Sequence, residues 1–427
     1  MNQSHVALLR RTSGFLVAAG VFLAASPARA LQPLSDFFAG ARKVSPEMRQ
    51  AALVGLQREA ETLSAYGQLM PSLGVTGTYT LNQYEAAIGA GADRIVVQPQ
   101  HGLSASAQLS IPLLDLVSWK RVGASKLLRT AAQESLEATE LEVERQVAQF
   151  YFQLVGSQAI RQSYQASLAF AEQSAETARA KRDEGTATDL DVARSEVETE
   201  TLKRTISDQE LAMALARRAL SSITGIDPTD DAPVLTDDLH EEAALVSWEA
   251  KADDVASVRS ARALREASER QASAARWSLV PTVGATATEQ ASNAAGFVGQ
   301  NAYFTGMVTA SWRLDVPTLA RIRGQDVAAG SARVQEEKAR TTARDAVHEA
   351  WQRVRSGIVA GKATRAQAAA AKIALDVARE RYAAGSSTQL DLIQAQRDWS
   401  SSEAARIQAD ANLGLARIQL RLAAGES

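Results

Sequence analysis

Ala178-Arg179-Ala180-Lys181-Arg182-Asp183-Glu184-Gly185-Thr186-Ala187-Thr188-Asp189-Leu190-Asp191 returns 200 residues later as Ala378-Arg379-Glu380-Arg381-Tyr382-Ala383-Ala384-Gly385-Ser386-Ser387-Thr388-Gln389-Leu390-Asp391. The register holds without a gap through Leu215-Ala216-Arg217 against Leu415-Ala416-Arg417, and on to Gly225 against Gly425. Upstream, Leu114-Asp115 matches Leu314-Asp315, and Pro71-Ser72-Leu73-Gly74 matches Pro281-Thr282-Val283-Gly284 at an offset of 210. A fixed spacing across separated motifs marks a duplicated unit. The change of offset marks an insertion in the first half, which is expected in an exposed loop.

Each half carries the same order: a helix, two strands, a very long helix, a tight turn and a returning helix. Ser45-Pro46 reads as an N-cap with proline at the first helical position, opening a helix that Pro71 ends. Leu103, Ala105, Ala107, Leu109 and Ile111 alternate with Ser104, Ser106, Gln108 and Ser110, the period of a strand with one apolar and one polar face. Phe304, Val308, Ala310 and Trp312 repeat the theme, and Tyr79 and Leu81 lie in a comparable run. Ser118 to Arg182 and Leu319 to Arg381 contain no proline, and about 65 residues of helix extend roughly 100 Å. Leu136, Val143, Phe150 and Tyr164 fall on one heptad phase, with Val147, Leu154 and Leu168 on a second. Small residues, among them Ala350, Ala368 and Ala371, take the matching seam in the second half.

At the turns, Gly185 and Gly385 are placed to adopt a positive φ, and Thr188 and Thr388 to cap the returning helices. Asp191 and Asp391 lie in the first helical turn, where the macrodipole favours a negative charge. Between the halves, the Gly225 to Pro233 stretch breaks helix and reads as a surface linker. The expected division is a signal peptide over 1–30, a first repeat over 31–225, a linker over 226–245 and a second repeat over 246–427.

The signal-peptide reading rests on Arg10 and Arg11, an apolar run from Gly14 to Ala25, and Ala28-Arg29-Ala30 as the cleavage pattern. Removing it leaves 43 basic against 49 acidic residues, a net charge of −6, which argues against a nucleic-acid partner. There is no cysteine, so neither a disulfide nor an N-terminal lipid anchor is available. After the signal no apolar run is long enough for a membrane helix, so entry into a membrane must be through strands. Four strands cannot close a sheet in hydrocarbon, where unpaired edges cost several kcal/mol per group, so closure needs further copies. Leu103, Leu109 and Ile111 would then face lipid, and Ser104, Ser106 and Gln108 water. Trp119, Tyr303 and Trp312 lie near strand ends, where an aromatic girdle forms.

The duplicated pattern Lys181-Arg182-x-x-Gly185-x-x-Thr188-x-Leu190-Asp191 and Arg381-Tyr382-x-x-Gly385-x-x-Thr388-x-Leu390-Asp391 resembles the two helical-tip motifs of the TolC family, and the likeness covers essentially the whole mature chain. It implies a mainly α fold with a small membrane β-barrel contribution: a duplicated strand pair plus long helical hairpin, assembled as a homotrimer. It implies an outer-membrane channel subunit of a tripartite efflux or type I secretion system, reaching from outer-membrane lipid into the periplasm. Its partners would be a periplasmic adaptor protein and an inner-membrane pump of the RND or ABC type. By the same resemblance, Gly185, Thr188, Leu190, Gly385, Thr388 and Leu390 form the tips that dock the adaptor. Asp391 matches the aperture aspartate, and Asp191 and Tyr382 match the closing network. Gln394 stands where a second acidic residue is expected, and Ser387 where an arginine is.

Two other classes were weighed. An enzyme finds no support: only His5, His101, His240 and His348 occur, with no nucleophile elbow, phosphate loop or clustered metal ligands, so no cofactor or metal is expected. A periplasmic adaptor also carries a helical hairpin, but one flanked by small β domains rather than duplicated with a strand pair.

Overall fold

The computed structural model describes residues 31–89, 91, 94–229, 236–295 and 299–426. The signal-peptide reading over 1–30 lies outside these, as do 230–235 of the linker. In chain order the elements are α1 Leu34–Val44, α2 Pro46–Gly67, β1 Ser72–Leu81, β2 Ala86–Ile88, β3 Ile95–Gln98, β4 His101–Leu114, α3 Leu116–Asp183, α4 Asp189–Thr224, α5 Leu245–Ala252, α6 Ala256–Trp277, β5 Thr282–Ser292, β6 Ala302–Ser311, α7 Val316–Ala383 and α8 Gln389–Ala423. The two halves run through matching helices and strands. One helix was expected before each strand pair, and two are found. The short α1 and α5 were missed because each is too brief for a clear period. The insertion in the first half is a small exposed ribbon, β2 paired antiparallel with β3, rather than a structureless loop.

Local chemistry sets the boundaries. Ser45 caps α2, its Oγ accepting from the Met48 amide at 3.4 Å. Asp115 and Asp315 cap the two long helices, accepting from Ser118 N and Thr318 N, each at 2.9 Å. α3 and α7 each run 68 residues, roughly 100 Å, and fold back along α4 and α8. No helix among the described residues is long and apolar enough to cross a membrane.

The core sits part-way down the shafts in two related clusters. In the first, Phe37 of α1 is fully buried among Val143, Val147, Tyr151 and Leu154 of α3 and Leu220 of α4, its ring 5.8 Å from that of Tyr151. Leu136 and Phe150 pack at its edge, so much of the expected seam is the one that is buried. In the second, Trp248 of α5 plays the part of Phe37, lying with Val347, Ala350 and Val354 of α7 and Leu413 and Leu420 of α8. Burying each aromatic is worth about 1.5–3 kcal/mol, which is what holds these short helices against the shafts.

β1, β4, β5 and β6 form one antiparallel sheet in the order β1-β4-β5-β6. Cross-strand register puts Leu73, Val75 and Tyr79 of β1 on one face with Leu103, Ala107 and Leu109 of β4, Val283, Ala285 and Ala287 of β5, and Phe304, Val308 and Ala310 of β6. The other face carries Thr76 and Thr78, Ser104, Ser106 and Gln108, Thr286 and Thr288, and Thr305 and Thr309. Glu289, paired with Ala107 and Phe304, is a charged exception on the apolar face. The outer edges of β1 and β6 have no partner strand among the described residues.

Candidate functional site: the helical tips

Both tips are built by the same two motifs in succession. At the end of α3, Thr186 N donates to Lys181 O at 2.8 Å and Gly185 N to Arg182 O at 2.9 Å, with Gly185 at φ +78°. At the end of α7, Ser386 N donates to Arg381 O at 2.9 Å and Gly385 N to Tyr382 O at 3.1 Å, with Gly385 at φ +73°. This is the Schellman pairing, which satisfies carbonyls that the helix end would otherwise leave open. Two residues on, a capping box opens each return helix. Thr188 Oγ1 accepts from Asp191 N at 3.2 Å, while Thr188 N donates to Asp191 Oδ2 at 3.1 Å. Thr388 and Asp391 repeat this at 3.2 and 3.0 Å, and Ser387 Oγ adds a third donor to Asp391 Oδ2 at 3.0 Å.

These bonds hold both carboxyls below the usual carboxylate range. For Asp191 the Thr188 hydroxyl is the main cause, and for Asp391 the Thr388 amide. Both are therefore anionic at neutral pH. Every side-chain hydrogen bond to Asp391 goes to Oδ2, and Oδ1 takes none among the described residues. Leu190 and Leu390 stand exposed beside the caps.

The two hairpins meet near the tips, through Lys181 and Tyr382 of the tip motifs and through other side chains that the sequence did not mark. Lys181 Nζ lies 3.9 Å over the Tyr382 ring, and the Arg379 guanidinium 3.9 Å over that of Phe170. Gln389 Nε2 donates to Ser174 Oγ at 2.9 Å and Ser195 Oγ at 2.8 Å, Ser167 and Ser400 bond at 2.9 Å, and Arg397 pairs with Glu198. Asp191 and Tyr382 are not brought together within the chain: the first is held by Thr188, the second lies under Lys181. Gln394 donates to Asp398 Oδ1 at 2.9 Å. No sequence signal announces such pairs, because the partners are far apart in the chain and common residue types.

The positive φ at Gly385 makes a direct prediction. A Cβ there would meet nothing within 4 Å, so Gly385→Val is penalised through the backbone alone, by about 1–2 kcal/mol. Gly324→Val occupies an equally open but helical position and will be neutral or mildly stabilising. Hydrogen exchange at 386–388 should quicken in the first variant and not in the second. Equal exchange in both would remove the strain argument.

The family model for outer membrane efflux proteins matches residues 40–226 and 253–426, covering both halves and both tips.

The chain belongs to the outer membrane efflux protein family.

Among its relatives, the outer membrane efflux protein BepC of Brucella suis biovar 1 (strain 1330) is 24% identical over 310 residues, 71% of this chain and 68% of that one. A membrane protein from Pseudomonas aeruginosa superposes with a TM-score of 0.80 at 21% identity, covering 92% of this chain and 93% of that one. The open-state MtrE outer membrane channel of Neisseria gonorrhoeae gives 0.75 at 19%, covering 92% and 89%. At these identities the structures establish the fold, which is mainly α with a β-barrel contribution, as in TolC-like channels. As a member of the outer membrane efflux protein family, the chain is placed in transport and at the outer membrane. The adaptor reading has no support: the family matched is the channel family, along both halves.

Proposed function

We propose that this protein is the channel subunit of a tripartite efflux or type I secretion system, a passive, non-catalytic conduit from periplasm to exterior. The reading is carried by one observation: a sheet with an apolar face, a hydroxyl-rich face and two unpaired edges, joined directly to helices of roughly 100 Å. Strand directions alternate across the four, so β6 of one copy can pair antiparallel with β1 of the next. Three copies then give twelve strands and an open lumen, with helices continuing the tube into the periplasm. The unit is the pair of repeats 31–225 and 246–427 joined by 226–245 and exported by 1–30.

In this reading the tips carrying Gly185, Thr188, Leu190, Gly385, Thr388 and Leu390 dock a periplasmic adaptor, which links the channel to an RND or ABC pump. The exposed Leu190 and Leu390 supply apolar contact there. Asp391, Asp191 and Tyr382 govern the mouth. Three Asp391 carboxylates around the axis would favour cations and disfavour anions, an effect that fades as salt screens it.

Asp391→Asn tests this cleanly, because an amide oxygen can still accept the Thr388 amide while the charge is gone. The variant should lose cation preference in planar bilayers and be less sensitive to multivalent cations added on the periplasmic side. Unchanged selectivity with an intact trimer would confine Asp391 to capping its helix. Absence of any conductance from purified wild-type trimer would remove the channel reading itself.

A further inference from the structure

Along most of the shafts, arginines are matched by acids. Arg259 bonds Glu134 and Glu137, Arg265 bonds Glu269 and Glu336, and Arg406 bonds Glu403 and Asp410. At the sheet end the matching is partial: Arg276 of α6 pairs with Asp326 of α7 at 2.8 Å, but other arginines there have no such pair among the described residues. Arg121 and Arg321 stand at the same position of the two repeats, each five residues into its long helix. Both are exposed, and neither has a direct hydrogen bond or ion pair among the described residues, although the Asp315 carboxylate that caps α7 lies within electrostatic range of Arg321. They flank one cleft of about 300 Å³, lined also by Val117 and Gln325 and floored by Ala274, Ala275 and Ser278 of α6. No acidic side chain lines it among the described residues. Arg129 and Arg323, on the same opening stretches of α3 and α7, are likewise exposed without an ion partner among the described residues.

We propose that this cleft binds the phosphate headgroup of an anionic glycerophospholipid in the periplasmic leaflet of the outer membrane. The inference rests on the outer-membrane channel reading, since that is what sets the depth. Five residues of helix put the two guanidinium groups roughly 7 Å beyond the end of the strands. Trp119 and Trp312 are exposed at the same boundary, where amphipathic rings settle at headgroup level. Two cations across a small-residue floor, with the nearby Asp315 already bonded to the Thr318 amide, match one phosphodiester, and guanidinium groups suit its oxygens geometrically. Three copies would form a ring of such sites at a charged leaflet.

The test uses full-length trimer reconstituted in nanodiscs of phosphatidylethanolamine with a minor fraction of phosphatidylglycerol. Lipid kept through mild delipidation is then read by native mass spectrometry. The wild type should retain phosphatidylglycerol well above its share, R121Q/R321Q should lose that enrichment by roughly tenfold, and R121K/R321K should keep much of it. Insertion and single-channel conductance should be unchanged in all three. Equal lipid retention in wild type and R121Q/R321Q overturns the proposal. A shift in anion–cation selectivity without a change in lipid also overturns it, placing the cleft on the lumen. Displacement of the lipid by millimolar inorganic phosphate would mean a free-anion site and would overturn the lipid assignment. If wild type fails to insert or conduct, it is the channel reading that has failed, which the conductance control reports separately.

Discussion

Val308→Arg will keep the protein out of the outer membrane, whereas Thr309→Arg, one residue along, will insert and assemble. The two positions are neighbours on β6 but lie on opposite faces of the sheet: Val308 is paired with Ala285 on the apolar side, Thr309 with Gly284 on the hydroxyl side. An arginine on the lipid face of a barrel costs about 2–4 kcal/mol near the midplane, and a trimer would carry three. That total rivals the whole stability of an ordinary domain. On the other face the guanidinium stays in water and adds a positive charge to the lumen, so Thr309→Arg should reduce cation passage without lowering the amount of protein. Heat-modifiable mobility of outer-membrane fractions, with quantitative blotting, reads both effects. Equal membrane levels for the two variants would mean that the faces have been assigned the wrong environments.

Arg417→Ala should be the most damaging single change in the helical part. Arg417 of α8 is 7% exposed, and its guanidinium binds both Asp237 oxygens at 2.8 and 3.0 Å, the His240 carbonyl at 2.8 Å, and Glu242. Arg365 of α7 reaches the Asp237 carbonyl at 2.7 Å, and Trp351 Nε1 reaches Ala243 O at 3.0 Å. Together they pin 237–243 across the second hairpin. Within it Leu239 adopts φ +58°, a left-handed conformation that costs about 1–2 kcal/mol and is held because Asp237 Oδ1 accepts from its amide at 2.7 Å. Removing the arginine leaves two largely buried carboxylates without their cation, at about 3–5 kcal/mol. Arg353→Ala, which breaks an exposed pair with Glu349, should cost under about 1 kcal/mol. Thermal unfolding of the detergent-solubilised protein, with hydrogen exchange over 236–244, distinguishes them. Comparable shifts would show that the strap contributes nothing beyond its surface charges. The neighbouring Asp237, Asp238 and His240 place three metal-type donors together, but Asp237 spends both oxygens on Arg417 and His240 Nδ1 faces Asp238 at 2.6 Å.

What could be read in advance was whatever depends on neighbours in sequence. Gly185 and Gly385 are the residues a left-handed turn requires, Thr188 and Thr388 are hydroxyls placed to cap, and the stretches from Ser118 and from Leu319 are free of proline. The alternation through β4 showed its two faces directly. What escaped was built from distant partners. Arg417 finds Asp237 across 180 residues, and Lys181 finds Tyr382 across about 200. α1 and α5 are short, and their anchoring by Phe37 and Trp248 follows from tertiary burial alone. Glu289 interrupts an otherwise apolar face, which no period reveals. At the tips the residue types were legible but the bonding was not: Asp191 and Asp391 each serve a capping threonine, and Tyr382 takes a cation over its ring.

The unpaired margins of the sheet bear on how the protein is made as well as on what it becomes. Until its neighbours arrive, a lone subunit in water presents two rows of open amides and carbonyls beside a greasy face, the combination that seeds indiscriminate strand association. On the trimer reading proposed above, its productive fate is set by a race whose winning step needs like copies to collide in the right order, so yield should fall off when synthesis is sparse and also when it outruns escort. If the proposed trimer forms, holdases that shield the margins should raise its yield, and slowing translation should rescue assembly where extra transcript does not.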